Sequence, residues 1–183
     1  RFAARSGWSF TRLVMTAAVI TGCAGMFVPE VLGLGTETVG DILNGGPALS
    51  FLITVLILKL LLTALCIGFG MFGGVFSPAL FVGAAAGGIA GSVMITLFGF
   101  GSHTALAICG MAAVASAVIG APVAGVLIIL EMTMNYQFAL VAMVSVVAAI
   151  MVTNVLFGHS FFDRQLLDRG IDIAQGRGHI EMT

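Results

Sequence analysis

Six apolar segments account for most of the chain, and short breaks rich in glycine, proline or charge separate them. The segments cover residues 13–28, 48–67, 76–98, 104–119, 122–132 and 138–157. Most are longer than a buried strand, so the pattern predicts α-helices. Crossing a bilayer takes about 20 residues, and several of the segments are shorter than that. The pattern therefore predicts an all-α integral membrane fold with broken and tilted transmembrane helices.

Two stretches depart from this apolar pattern. Residues 31–46 contain five glycines, and three acids lie in or beside them, so we expect at most a short helix there. After Gly158 the chain becomes polar. We therefore expect residues 1–162 to belong to the membrane domain. Residues 163–183 are expected to lie outside the membrane domain.

Charge is scarce and unevenly placed. Charged residues make up 8% of the chain and hydrophobic residues 60%, whereas soluble domains carry about 25% charged residues. The sequence has no Asp, Glu, Lys or Arg between Lys59 and Glu131, or between Glu131 and Asp163. The first gap is long enough for several membrane passes and the second for one. The net charge of −1 gives no reason to expect a nucleic-acid partner.

The placement of the charges also predicts an orientation. Residues 1–12 carry three arginines and no acid, and the C-terminal tail carries three arginines accompanied by acids. Residues 29–47 carry three acids and no base. Because basic flanks stay in the cytoplasm, we expect both chain ends to be cytoplasmic and the acidic loop to be external. The next break, residues 68–74, is then expected at or below the middle of the membrane.

The break at residues 68–78 reads Gly-Phe-Gly-Met-Phe-Gly-Gly-Val-Phe-Ser-Pro. Its glycines permit an irregular backbone, and Pro78 suits the first turn of the helix that follows. Irregular backbone at membrane depth is tolerated only where it is buried in protein or lines a wet cavity. A helix start there presents unpaired N–H groups and the positive end of the helix dipole, which bind anions. On these residues alone, an ordinary interhelical loop with glycine packing contacts is an equal alternative.

The motif Gly74-Val75-Phe76-Ser77-Pro78 resembles the G-x-F-x-P anion-binding signature of the CLC chloride channels and chloride/proton antiporters. Further stretches resemble that family in its order: residues 29–35, 59–64, 121–125 and 131–136. The resemblance spans nearly the whole chain. It implies the second inverted repeat of a bacterial CLC subunit, so that residues 1–162 are the C-terminal half of its transmembrane domain. Residues 166–173 resemble the stretch that leaves that domain, which implies that residues 163–183 are the end of a final cytoplasmic helix and a linker toward a further C-terminal region.

The resemblance also implies a set of ligands and partners. The amides of Val75 and Phe76, set between Gly74 and Pro78, are expected to hold the transported chloride, with no other cofactor. Protons are an expected second substrate. Family members are homodimers in the membrane, with part of the contact expected on residues 122–133 and 138–157. For a bacterial protein the expected location is the inner membrane.

Family members add a tyrosine hydroxyl at the start of the last helix. Tyr136 is the only tyrosine, but its context, Glu-Met-Thr-Met-Asn-Tyr, resembles the end of the short helix that Pro122 opens. In the segment that resembles the ligand position, the tyrosine is replaced by Phe162. The hydroxyl donor is then absent, so we expect the site to rely more on the backbone amides, with the slightly positive ring edge of Phe162 toward the anion.

Several alternatives stay open on the sequence. The family motifs that carry the gating and proton-transfer glutamates belong to the first repeat, so channel and antiporter are not distinguished. Another anion, such as fluoride or nitrate, is an alternative substrate, and a truncated, non-conducting membrane subunit is an alternative role. The chain begins at Arg1 rather than Met, and we expect it to be a piece of a longer protein, with CBS domains as a plausible continuation.

The remaining candidate residues have structural interpretations. Lys59 and Glu131 are costly in hydrocarbon unless paired, and we expect both to be anchors near segment ends, where long side chains reach the interface. Gly83, Gly87 and Gly91 recur at helical spacing, which favours close helix packing in lipid. The chain carries no G-x-S-x-G, H-E-x-x-H or phosphate-loop motif, and we do not expect an enzyme.

Overall fold

The computed structural model describes residues 10–33, 35–44, 48–69, 74–158 and 160. In this part of the chain there are seven α-helices and one 3-10 turn, without strands. The helices are α1 (Phe10–Phe27), α2 (Thr36–Leu43), α3 (Leu49–Gly68), α4 (Phe76–Phe98), α5 (His103–Ile119), α6 (Pro122–Thr133) and α7 (Tyr136–Phe157). The 3-10 turn, Pro29–Val31, follows α1. The all-α prediction is confirmed, and each apolar segment is a helix.

The largest difference from the predicted boundaries is at α1, which begins three residues earlier, at Phe10 rather than residue 13. Arg12 and Thr11 are exposed and helical there. These two residues at the start of α1 are therefore polar and solvent-exposed, and the apolar pattern does not include them. The short helix allowed within residues 31–46 is α2.

Glycines in the left-handed conformation end two of the long helices. Gly99 (φ 70°) follows α4 and donates its amide to the carbonyl of Ile95. Gly158 (φ 74°) follows α7 and donates to the carbonyl of Asn154. Side chains with a Cβ are strained at such φ values. These two glycines therefore fix where the apolar helices stop.

Three helices, α3, α4 and α7, are long and apolar enough to cross a membrane. Three shorter helices are also apolar: α1 from Thr11 onward, and the whole of α5 and α6. Their lengths agree with the predicted broken helices. Large apolar side chains are exposed on the long helices, including Leu61 (62%), Leu97 (71%) and Val144 (73%). An apolar surface of this kind fits contact with lipid chains rather than water.

The chain divides into two compact units between Met111 and Ala112, within α5. In the first unit α4 packs along α3 and also contacts α2. Its side chains Phe81, Ala84 and Ala85 are fully buried. Burying an aromatic ring and its small neighbours stabilises the position of α4 in this unit.

Glycines bring α4 into backbone contact with the first half of α5. A Cβ on Gly83 would overlap the carbonyl oxygen of Gly110, and a Cβ on Gly87 would overlap that of Leu106. The reverse also holds, since a Cβ on Gly110 would overlap the carbonyl oxygen of Gly83. The predicted packing role of this small-residue face is confirmed.

In the second unit α6 packs against α7. The buried residues of α7 are Ala139, Ala142 and Val146, which lie on one helical face. Gly125 on α6 meets Ser116 so closely that a Cβ on Gly125 would overlap the serine hydroxyl. The remaining surface of α7 is largely exposed and apolar.

The substitution Gly83→Ala tests the contact between α4 and α5. Alanine is the better helix former by about 1 kcal/mol. At position 83, however, its Cβ meets the Gly110 carbonyl, so we expect a net loss of about 1–3 kcal/mol in the free energy of unfolding. The matched control is Gly22→Ala on α1, where a Cβ meets no heavy atom within 4 Å and stability is expected to hold or rise. Thermal unfolding of the full-length protein in detergent, followed by circular dichroism, measures both, and equal melting temperatures would contradict the contact.

Candidate anion-binding site

Helix α4 begins at Phe76, directly after the glycine-rich break. Val75 is its N-cap residue (φ −75°, ψ −21°), and the Val75 carbonyl accepts the first helical bond, from the Ala79 amide at 3.1 Å. Pro78 lies in the first turn, where its missing N–H removes no helical bond. Gly74 is exposed, and a Cβ there would meet no heavy atom within 4 Å. The predicted helix start at residues 76–78 is confirmed.

The amides of Val75 and Phe76 are the donors at this helix start. The first N–H groups of a helix have no helical acceptor. The Val75 side chain makes no capping bond, and no backbone oxygen in the described ranges accepts from either amide. Both residues are half-buried, and the first turn carries no acid. The helix therefore presents two donors and the positive end of its dipole, with no negative charge in its own first turn.

This arrangement suits a small anion more than a cation. An anion at the helix start accepts from the amides and interacts favourably with the dipole. The donors are neutral, so they hold an anion less strongly than an arginine or lysine in direct contact. Weak retention is what a conduction site needs, since the ion must leave as well as enter. That Gly74, Val75, Phe76 and Pro78 bind chloride stays a prediction.

Lys59 is a buried cation in the same unit. Its side chain is 4% exposed, and its Nζ donates to the carbonyls of Val31 at 2.7 Å and Gly33 at 3.0 Å. The same Nζ lies 5.0 Å from the ring centroid of Phe81, within the range of a cation–π interaction. These contacts tie the chain around the 3-10 turn to α3 and α4, so the predicted anchoring role is confirmed.

The predicted position of Lys59 near a segment end is wrong. Lys59 lies in the middle of α3, and its side chain is buried rather than exposed to solvent. Its acceptors are supplied from 26 and 28 residues away in sequence, and no local pattern shows them. One signal does exist: Lys59 is the only lysine or arginine between Arg12 and Arg164. An isolated basic residue amid apolar sequence is by default a functional candidate.

Other candidates lie elsewhere. Glu131 is exposed near the end of α6, as predicted. Tyr136 is the first residue of α7 and is 72% exposed. That it is not the anion ligand stays a prediction. Phe162 and residues 163–183 lie outside the described residues, so their roles also stay predictions.

Two further features do not belong to this helix start. A cleft of about 430 Å³ in the first unit is lined by Glu30, Ser50 and Thr54 among others, and by none of residues 74–78. Within the described ranges, no three His, Cys, Asp or Glu side chains come together as a metal site would require.

Comparisons with known proteins agree with this picture. A family model described as voltage gated chloride channel matches residues 3–154, which include residues 74–78. The H(+)/Cl(−) exchange transporter ClcA of Vibrio parahaemolyticus is 31% identical over 164 residues, covering 86% of this chain and 35% of that protein. The transporter of the same name from Vibrio cholerae is 32% identical, with the same coverage.

A ClcB-like protein of Ralstonia nicotianae is 32% identical over 178 residues, covering 89% of this chain and 40% of that protein. The chain thus spans well under half of the length of these relatives. The family model matches most of the chain, and the apolar helices are those of an integral membrane protein. The chain belongs to the voltage-gated chloride channel (CLC) family.

Proposed function

We propose that the full-length protein transports chloride across the membrane and holds the anion at the start of α4. The observation that carries this proposal is the pair of amides at Val75 and Phe76, which have no described acceptor. Chloride satisfies such donors without a proton transfer and without a fixed countercharge. The relatives named as H(+)/Cl(−) exchange transporters support chloride as the anion.

Each motif residue has a proposed part in the site. Val75 and Phe76 donate their amides to the anion. Gly74 leaves open space beside the backbone, since even a Cβ there would have no neighbour within 4 Å. Pro78 contributes no N–H of its own and favours a helix start at this point. Phe162 is proposed to add a ring edge and no hydroxyl.

Proton coupling is the second part of the proposal. The ClcA relatives are named for exchange of protons against chloride, and we propose the same exchange here. A passive channel, a carrier of another anion and a non-conducting subunit are the competing outcomes. The bacterial source of the relatives supports a bacterial inner membrane. Both chain ends are proposed to lie in the cytoplasm, because basic flanks of membrane proteins stay there.

A homodimer through the second unit is the third part. Residues 122–133 and 138–157 form α6 and most of α7, and their outer surface is apolar. Exposed side chains include Val123 (70%), Leu127 (56%) and Val144 (73%). A second copy packed on this surface would bury such side chains against each other, and helix packing in lipid depends on close contacts of this kind.

Flux measurements test the transport proposal directly. The full-length protein in liposomes with a chloride gradient is expected to release chloride and to drive protons uphill in the opposite direction. A chloride electrode and a pH electrode record both movements, and protein-free liposomes are the control. Chloride flux without proton movement would indicate a channel. Absence of chloride flux from correctly folded protein would contradict the transport proposal.

The dimer proposal is tested by a bulky substitution on α7. Val144→Trp places an indole in the proposed contact, and we expect the mass in detergent to fall from that of a dimer to that of a monomer. Val19→Trp on α1 is the matched control, because Val19 is also an exposed valine (64%) but lies outside the proposed contact. Light scattering after size-exclusion chromatography measures the mass. Equal masses for the two variants would contradict a contact at Val144.

A further inference from the structure

We propose that Lys59 strengthens chloride binding at the start of α4, because its buried charge attracts the anion without touching it. The proposal rests on the proposed function in one respect only, which is the assignment of the Val75 and Phe76 amides as the chloride site.

In the part of the chain that the structure describes, the Lys59 ammonium makes its hydrogen bonds and its cation–π contact with uncharged groups. An ammonium has three N–H donors. Two of them point to the carbonyls of Val31 and Gly33, and the face of the Phe81 ring lies near the ammonium. All three partners favour a cation and none carries a negative charge. The ammonium is therefore stabilised by neutral groups.

Burial extends the reach of this charge. Lys59 is 4% exposed, so neither bulk water nor salt screens it as it would screen a surface lysine. It is also the only lysine or arginine in residues 13–163. The apolar part of this chain thus contains one lysine and no arginine, and the lysine lies in the unit that carries the proposed chloride site.

Phe81 connects the charge to the site. Phe81 is fully buried on α4, and it lies five residues after Phe76 on the same helix. Five residues correspond to about 7.5 Å along the helix axis. Since Nζ lies 5.0 Å from the Phe81 ring centroid, the charge is on the order of 10–15 Å from the Val75 and Phe76 amides. This distance excludes direct contact and permits a Coulomb interaction.

The size of that interaction is sufficient to matter. At an effective dielectric constant of about 20, a unit charge at this range changes anion affinity by roughly tenfold. A lysine in contact with the anion would bind it more tightly and slow its release. At a distance, Lys59 raises the local chloride concentration while neutral amides make the contact.

Two substitutions at Lys59 separate charge from structure. Lys59→Gln removes the charge and retains a donor for one of the carbonyls, whereas Lys59→Arg retains the charge. Isothermal titration calorimetry with sodium chloride, on the full-length protein in detergent, measures the dissociation constant of chloride. We expect the constant to rise about tenfold in K59Q and to stay within about twofold of the unmodified value in K59R.

A second pair leaves Lys59 in place. Leu32 lies between the two residues whose carbonyls accept from Nζ, and it is 42% exposed. Leu32→Asp adds a carboxylate to the residue between the two acceptors of Nζ, and Leu32→Asn is its uncharged match in size. We expect L32D to bind chloride at least about twofold more weakly than L32N, because the added carboxylate opposes the attraction between the ammonium and the anion. The effect is smaller than in K59Q, because partial exposure screens the added charge.

Each result bears on the proposal. Equal dissociation constants for K59Q and the unmodified protein would overturn it, and so would an equal loss in K59R and K59Q. Where K59Q does not fold, the Leu32 pair decides, and equal constants for L32D and L32N would overturn the proposal. Unmodified protein that binds chloride without transporting it contradicts only the proposed function. Unmodified protein that binds no chloride contradicts both.

Discussion

A backbone N–H group without an acceptor costs several kcal/mol inside a membrane, and this constraint governs the chain at the start of α4. A helix leaves its first N–H groups unpaired, and here neither the Val75 side chain nor a described backbone oxygen satisfies those of Val75 and Phe76. In the proposed function, a passing anion in a wet cavity supplies the missing acceptor. The groups that are costly for a membrane fold are therefore the groups proposed to select chloride.

Such donors are useful only if the helix that carries them stays in place. Two kinds of contact hold α4 in the first unit. The glycine contact with Gly110 brings two backbones together, which leaves little freedom for sliding. Around Phe81, the cation–π contact and the two carbonyl bonds of Lys59 join α3, α4 and the chain near the 3-10 turn. The buried charge thus belongs to the same packing that positions the amides.

Local features of the fold were predictable from the sequence, and distant ones were not. The bounds of α4 follow from residues that act on their own neighbours: Pro78 favours the helix start, and Gly99 adopts the conformation that ends it. The donors at Val75 and Phe76 follow from that same start. Lys59 shows the opposite case, because its acceptors lie 26 and 28 residues away. The apolar segment around Lys59 correctly predicted a helix, but the predicted position of Lys59 near the end of that segment was wrong.

The amide of Val75 offers the most direct test of the central claim, that backbone donors hold the anion. Val75→Pro removes this donor at a φ of −75°, which proline adopts without strain, and Val75→Ala retains it as the matched control. Chloride binding to the full-length protein, measured by calorimetry, is expected to weaken about tenfold or more in V75P, as for loss of a hydrogen bond to a charged group, and to change less than about twofold in V75A. Equal chloride affinity in V75P and V75A, with both variants folded, would contradict the claim.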